Sequence, residues 1–489
     1  MKLSELTKFI HVPGDYQRIE FTGLANNSQQ VVPGDLFIAM KGCKTDGFLY
    51  IEEAMRKGAV AALAESGVTG PPGFPIIQAS GIRKAQGMIA AYFYGEPSSK
   101  LRMIGVTGTN GKTTVAHLIA HLLNFYQKPT GLIGTVWINN GREIRRSTRT
   151  TPDSIELQKI LAEMVANGMR NVVMEVSSHA LALERVAGIE FDIAVLTNIN
   201  HDHFDFHLNY QNYLVAKQQL FRSLPLGQKQ NKYAVLNMDD PSFPAVMNVC
   251  RNVVLNYGFS GSADIKAGQI SDLGHEQMVE VEFLGKSCRF ITQLPGRFNI
   301  YNILAASTVV YQEGMPAEEI ERAIPEFPGV PGRYQLVDCG QPFTVMVDFA
   351  HNPAALENIL EMAHRRTGGR RILVFGCEGE KDRLKRPLMG QVAVLNAEIP
   401  ILTSDNNNQE EPNQIFSDVL SGIPAAQQKN LTIEPDRKQA IRRAVELAEP
   451  GDFIIVAGKG HERTLIQGAE KILFDDAEVL REMLHGNPS

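Results

Sequence analysis

The stretch Gly105-Val-Thr-Gly-Thr-Asn-Gly-Lys-Thr-Thr114, GVTGTNGKTT, carries the residue types of a phosphate-binding loop in an unusual spacing. The common P-loop reads G-x-x-x-x-G-K-[ST]. Here Val106 stands at the first glycine position, and the glycines fall at Gly105 and Gly108. A phosphate cradle needs free backbone N–H groups, a mobile cation and a hydroxyl that can reach a phosphate-bound magnesium. Gly108, Thr109, Asn110 and Gly111 can present the N–H groups, Lys112 the cation and Thr113 the hydroxyl, with Thr114 beside it. A plain strand-to-helix turn is the competing reading, but turn chemistry gives no reason for Gly-Lys-Thr-Thr. Phosphate binding alone names no reaction, since a kinase, an ATPase and a ligase would all use such a loop.

The loop works only if a strand delivers it to a helix N-terminus. Val115, Leu118, Ile119 and Leu122 fall at i, i+3, i+4 and i+7, which predicts an amphipathic helix from near Thr113. "MIGV" before the loop reads as the strand, and "NVVMEV", "IAVLTN" and "YAVLN" are similar apolar runs that end in small or polar residues. Such runs alternating with helices predict a mostly parallel sheet, whose ligands lie beyond the carboxyl ends of the strands. Residues 35–63 read as a smaller strand, turn, helix and strand unit. "GEPSSK" at 95–100 reads as a linker, with the next unit starting near Leu101. "FPGVPGRYQ" at 327–335 marks a second boundary, after which "FTVMVDF", "RILVFG", "IPILTSD" and "DFIIVAG" open a third α/β series. No internal repeat of fixed period is visible.

With 489 residues and 44% hydrophobic composition the chain can bury several cores, and two to four domains are expected. The net charge of -6 comes with both signs scattered, which gives no footprint for nucleic acid or an anionic membrane. Cys43, Cys250, Cys288, Cys339 and Cys377 are odd in number and lack any Cys-x-x-Cys spacing, so neither a disulfide framework nor a zinc site is indicated. No apolar run approaches the ~20 residues of a membrane span. The expectation is a cytoplasmic protein with small-molecule partners, no nucleic acid and no membrane insertion.

Six segments, "GVTGTNGKTT", "MEVSSHAL" (174–181), "TNINHDHFDFH" (197–207), "YLVAKQQLF" (213–221), "LPGRFNIYNILAA" (294–306) and "VDFAHNPAAL" (347–356), together resemble the Mur ligases, the MurE branch in particular. That family carries a P-loop of this shifted TGTNGKT form. The likeness continues from "PGDLFIAMKG" (33–42) to "AGKGHE" (457–462) and "FDDAEVLREML" (474–484). It implies an α/β protein of three domains. Residues 1–98 would hold the UDP end of the substrate, a central P-loop parallel-sheet domain over 99–332 would hold ATP, and a Rossmann-like domain over 333–489 would hold the incoming amino acid. The implied reaction is ATP-dependent addition of a diamino acid, meso-diaminopimelate by default and L-lysine next, to UDP-N-acetylmuramoyl-L-alanyl-D-glutamate through an acyl phosphate, in peptidoglycan precursor synthesis. A non-catalytic nucleotide-binding paralogue with a regulatory or scaffold role is the alternative. A folate-adding relative fits "GKGHE" and the N-terminal segment less well.

Carried over residue by residue, the resemblance implies roles for the rest of the site. Lys112, Lys217, His203 and Glu175 would be catalytic. Two magnesium ions are expected, with Thr113 and Glu175 on one near the nucleotide, and His203 and Lys217, as its carbamate, serving the other. Glu175 ends an apolar run, where a parallel strand delivers a hard oxygen ligand to the active edge. Asn237, Asn299 and Asn302 would meet the adenine, and Arg333, Asp348 and His351 the phosphates or ribose once the last domain closes. Ser28, Thr150, Thr151, Ser177 and Arg185 would face the UDP substrate, although Asn27 and Gln29 flank Ser28 where the family has Asp and Arg, and Leu183 stands where glutamine is common. Lys381, Arg383, Asp405, Asn406, Asn408, Gly458 and Glu462 would meet the amino acid. Diaminopimelate-adding members read Asp-Asn-Pro-Arg where this chain has Asp405-Asn406-Asn407-Asn408, and Lys381 replaces a second family arginine, so a bidentate fork becomes a point charge.

Overall fold

The computed structural model describes residues 1–42, 45–274 and 276–486; Cys43 lies outside them, and the other four cysteines are free thiols. Three parallel or mainly parallel sheets follow one another along the chain. The first has four strands in sequential order, Gly23–Ala25, Asp35–Ala39, Ala61–Ala64 and Ile76–Gln78. The helix Ile82–Phe93 carries the chain out of this unit and packs on Ser154–Ala166. "GEPSSK" forms a packed connection. Pro97–Lys100 winds into a 3-10 turn with Ser98 buried, whose hydroxyl accepts the Glu190 N–H at 3.2 Å.

The second sheet has eleven strands, and its parallel centre runs Val253–Gly258, Tyr233–Asn237, Ile193–Leu196, Arg102–Thr107, Asn171–Glu175 and Thr130–Ile133. These strands read as unbroken apolar runs because helices cover both faces. Val106, Val173 and Val195 face one core, while Met103, Val172 and Leu196 face the other. The connections run to one side of Arg102–Thr107 and then to the other, so this strand lies at the switch in strand order where α/β sheets open a ligand crevice. Antiparallel pairing widens both edges, through Trp137–Asn139 and Ile144–Arg146 at one, and at the other through Gln277–Phe283 and Lys286–Thr292 beyond Ile265–Asp272, which itself joins Val253–Gly258 in parallel. The sequence reading foresaw neither extension, since the far strands alternate buried and exposed residues and present no long apolar run.

The third sheet orders Gln335–Leu336, Thr344–Asp348, Phe453–Ala457, Arg371–Phe375, Ile399–Leu402 and Thr432–Ile433, parallel except for the first. The four runs read as strands after the second boundary are its four longest. The buried pair Arg437 and Asp476, 2.7 Å apart, ties two of its helices together, and the hairpin Thr464–Gln467 with Glu470–Leu473 stands beside it. No helix among the described residues is long and apolar enough to cross a membrane.

Candidate active site

The carboxyl ends of the second and third sheets meet around a cavity of about 770 Å³, within the range of small-molecule sites. The helix Lys112–Phe125 points its N-terminus at it, one residue earlier than the sequence periodicity placed the start. Gly111 precedes this helix at φ +86°, so no side chain caps the first turn and its N–H groups stay open to an anion. A Cβ at Gly111 would lie 2.3 Å from Asn302 Oδ1, and one at Gly108 would lie 1.8 Å from Thr197 Oγ1. This explains the shifted spacing, because close packing demands glycine at 108 and 111.

Lys112 Nζ donates to the carbonyls of Gly108 at 3.0 Å and Thr109 at 2.8 Å, curled over the loop. Lys217, buried on the helix Tyr210–Ser223, donates to the same Gly108 carbonyl at 2.6 Å. Burial first, then the neighbouring Lys112, holds Lys217 well below the usual lysine range, and burial lowers Lys112 as well. Two ammonium groups on one buried oxygen repel each other, so the arrangement favours a neutral Lys217.

Glu175 is fully buried at the end of its strand. It accepts from Thr113 Oγ1 at 2.9 Å, Thr135 N at 2.7 Å and Thr135 Oγ1 at 3.0 Å. Arg333 Nη2 reaches Thr113 Oγ1 at 3.3 Å from across the second boundary, and its guanidinium lies over the Phe349 ring. A carboxylate with two threonine hydroxyls is a hard-oxygen donor set, which fits magnesium. Burial pushes His203 well down, and its Nε2 is 3.8 Å from Asp202. Among the described residues no group of three or more His, Cys, Asp or Glu side chains is placed to hold a metal.

Asn237, Asn299 and Asn302 all line the cavity. Their amides are partly engaged, Asn237 Nδ2 with the Thr197 carbonyl at 3.0 Å, Asn299 Nδ2 with the Pro295 carbonyl at 2.8 Å and Asn302 Nδ2 with Asn299 Oδ1 at 3.0 Å. Asp348 lines the cavity too and fixes the boundary loop, accepting from Tyr334 N at 2.7 Å and Ala350 N at 2.8 Å. His351 turns elsewhere, with Nδ1 on the Phe349 carbonyl and Nε2 3.6 Å from Asp202.

Thr150, Thr151, Ser177 and Arg185 gather behind Glu175. Thr151 Oγ1 donates to the Glu175 carbonyl at 2.8 Å and accepts Ser177 N at 3.1 Å, Arg185 Nη1 donates to the Thr151 carbonyl at 3.2 Å, and Thr150 Oγ1 accepts from Thr135. Ser28 lies in the first unit, its hydroxyl on Glu53 at 2.9 Å and its carbonyl accepting Lys57.

In the third unit Asp405, Asn406 and Glu462 converge on Lys459, a buried cation that the sequence reading passed over although "GKGHE" contains it. Lys459 Nζ lies 3.0 Å from Asn406 Oδ1, 2.8 Å from Glu462 and 3.7 Å from Asp405. Gly458 approaches Asp405 so closely that a Cβ would lie 2.8 Å from its Oδ2. Asn408, at φ +52°, donates to the Gly379 carbonyl at 2.7 Å and to Glu378 at 3.5 Å. Lys381 is exposed, and Arg383 pairs with Glu410 at 2.7 Å. The buried Arg386 also grips Glu410, pulling its carboxyl down to about 2, so this loop is anchored from below.

Sequence reasoning also missed Asp202, Asn352 and Lys385. The first was passed over in favour of its neighbour His203. Asn352 precedes a proline at a helix start and is legible as a cap, its Oδ1 accepting Ala355 N at 3.0 Å.

Comparison with known proteins agrees with this arrangement along the whole chain. Residues 20–91 match the Mur ligase family catalytic domain, 106–310 the Mur ligase middle domain and 332–460 the Mur ligase glutamate ligase domain. The chain is 40% identical over 489 residues to the UDP-N-acetylmuramoyl-L-alanyl-D-glutamate–2,6-diaminopimelate ligase of Syntrophomonas wolfei, with 99% of each covered. It is also 40% identical over 487 residues to the enzyme of the same name from Geobacillus kaustophilus, with 98% of this chain and 99% of the relative covered. A solved structure of a ligase of that name shares the fold at TM-score 0.69 and 30% identity, covering 99% of both chains. A MurF ligase of Thermotoga maritima in complex with ADP shares it at TM-score 0.65 and 19% identity, covering 96% of this chain and 97% of that one. With family matches in all three sheet-bearing units and end-to-end identity to these ligases, the chain belongs to the Mur ligase family.

Proposed function

We propose that this protein adds a diamino acid to UDP-N-acetylmuramoyl-L-alanyl-D-glutamate, cleaving ATP to ADP and phosphate. Residues 1–98 hold the UDP end, 99–332 the nucleotide and 333–489 the amino acid, and the work is cytoplasmic, where peptidoglycan precursors are built. The observation that carries the reading is a single cavity lined by Thr113 and Thr114 of the P-loop helix together with Arg333 from the second boundary, with Glu175 bound to the Thr113 hydroxyl behind it. In the reaction a substrate carboxylate oxygen attacks the γ-phosphorus and ADP leaves. The incoming amine then attacks the acyl carbon, the C–N bond forms, phosphate leaves and the amine gives up a proton. Lys112 follows the β- and γ-phosphates, and Arg333 adds positive charge as the negative carboxylate approaches the phosphate. Thr113 and Glu175 would hold magnesium beside the nucleotide, with His203 and the Lys217 carbamate at a second ion; bound there, the metal offsets negative charge on the phosphates. The closed interface excludes water from the acyl phosphate. Release of ADP and phosphate that depends on both acceptor dipeptide and amino acid tests the reading; tight ATP binding without such turnover would instead mark a non-catalytic paralogue.

Diaminopimelate is the proposed amino acid, supported by the two 40% identical relatives named for it. Asn408, which donates toward Glu378 where the family arginine would offer a fork, favours L-lysine as the second reading. Asn408→Arg decides between them. A charge-assisted bond to a distal carboxylate contributes about 1.5–3 kcal/mol, and the left-handed backbone at φ +52° costs a side chain other than Gly or Asn about 1–2 kcal/mol. The expected outcome is a rise of up to about thirtyfold in kcat/KM for meso-diaminopimelate, with L-lysine unimproved because it has no second carboxylate. A wild type that uses only L-lysine would overturn the first choice.

The UDP end is positioned by packing of the first unit on the second. A Cβ at Gly87 would lie 2.4 Å from the Ala187 carbonyl, and one at Gly188 would lie 2.5 Å from the Gly87 carbonyl, so two backbones touch there. Gly87→Leu overpacks this seam at a cost of about 1–3 kcal/mol. KM for the UDP-linked substrate is expected to rise several-fold while the affinity for an ATP analogue stays constant; equal effects on both ligands would show that the seam does not act through the first unit.

A further inference from the structure

We infer that Asp202 and Asp382 are reciprocal positioning residues that make amide formation depend on closure of the third unit over the second. Each is almost fully buried, with 3% of its side chain exposed, and each takes partners from the other unit beside a backbone N–H of its own loop, His203 for Asp202 and Leu384 for Asp382. Asp202, in the loop after Ile193–Leu196, accepts from Asn352 Nδ2 at 3.3 Å and lies 3.6 Å from His351 Nε2 and 3.9 Å from Lys385 Nζ. Asp382, in the loop after Arg371–Phe375, accepts from His201 Nε2 at 3.1 Å and from the Phe204 N–H at 3.3 Å.

The exchange is economical in charge. If the units part, the second keeps Asp202 without Lys385, and the third keeps Lys385, itself buried, without Asp202. A buried carboxylate stripped of its partners is costly, so water must enter both halves before they separate. Only a closed interface satisfies both groups.

The latch also touches the groups around the reacting phosphate. Asn352 exchanges two hydrogen bonds with the P-loop Asn110, Nδ2 to Oδ1 at 2.9 Å and the reverse at 3.3 Å. Asp202 Oδ1 accepts the backbone N–H of His203 at 2.9 Å, fixing a residue held at φ +58°. Closure therefore sets the P-loop tip and His203 together. The positioning is one of timing, because cleavage of ATP draws on the nucleotide groups of the second unit and on Arg333 at its boundary, whereas capture of the acyl carbon by the amine needs the amino-acid groups of the third unit in place before water arrives.

The inference rests on the ligase reading above, and the test separates the two. Phosphate and peptide product are measured together at saturating ATP and acceptor dipeptide. In the wild type one phosphate is expected per amide bond; a wild type that forms no amide refutes the ligase reading and leaves the latch without a reaction to time. Asp382→Asn, which removes the charge facing His201, is expected to release several phosphates per amide and to raise KM for the amino acid more than it lowers the rate of phosphate release. Asp382→Glu, which restores the charge, is expected to recover much of the coupling. His201→Ala breaks the same contact from a ring that is one third exposed, so it tests the inference even if Asp382→Asn does not fold. Its phosphate excess should match that of Asp382→Asn, and the double variant should add nothing. A one-to-one ratio in His201→Ala, or full additivity in the double variant, overturns the latch.

Discussion

Lys112→Ala is expected to lower kcat by roughly 10²- to 10³-fold, the usual loss when a charge-stabilising group is removed from a reacting centre. In the closed structure the ammonium donates to the Gly108 and Thr109 carbonyls, and it stands at the first residue of the P-loop helix. Nothing else there replaces it. Arg333 reaches Thr113, and Lys217 is tied to Gly108 and is favoured in its neutral form. The fold should survive, because alanine is the best helix former and the Gly108 carbonyl keeps Lys217 as a donor. An unchanged unfolding temperature beside the lost turnover is the expected pair of measurements, made by calorimetry and by ADP release. Near-normal turnover would remove the P-loop from the mechanism.

Loss of a similar order is expected for Lys217→Ala, for a different chemical reason. Burial and the nearby Lys112 hold Lys217 well below the usual lysine range, which favours the amine form with a free lone pair on its nitrogen. That nitrogen can attack carbon dioxide, forming an N–C bond and releasing a proton, so that an anion with two oxygen donors replaces the amine. The Ala variant is expected to be nearly inactive and to regain part of its activity when a short carboxylic acid is supplied. Wild-type turnover is expected to fall when carbon dioxide is removed and to return with bicarbonate. Lys217→Met, which nearly conserves buried volume, should be as inactive as the Ala variant, so a packing defect can be told from lost chemistry. An active Met variant, or a wild type indifferent to carbon dioxide, would end this role for Lys217.

The chemistry of the phosphate loop and the parallel sheet beneath it were legible from residues close together in the chain. Gly108 to Thr114 specify a strand, a tight loop and an uncapped helix start within a few residues, and the strands that flank them are apolar throughout because both faces are covered. The antiparallel edges were not legible, since strands such as Lys286–Thr292 alternate exposed and buried residues and look like surface chain. "GEPSSK" reads as a connection from its turn-forming residues, and the same residues suit the short packed 3-10 turn that they form.

By itself the sequence determined which residue types this protein holds ready, a lysine, hydroxyls and a carboxylate for a phosphorylated nucleotide, because those choices are written in local spacing. Tertiary structure decided which of them face one another. Asn352 meets Asp202 across 150 residues and Asn110 across 242, and no periodicity of 2 or 3.6 residues encodes such a pairing. Arg383, which looked available to grip a substrate carboxylate, faces Glu410, and Lys459 instead stands among Asp405, Asn406 and Glu462. The physical reason is the same in each case. A charge is satisfied by whatever partner lies within a few ångströms of it once the backbone is folded and the units have closed, and that distance is set by packing rather than by the order of residues in the chain.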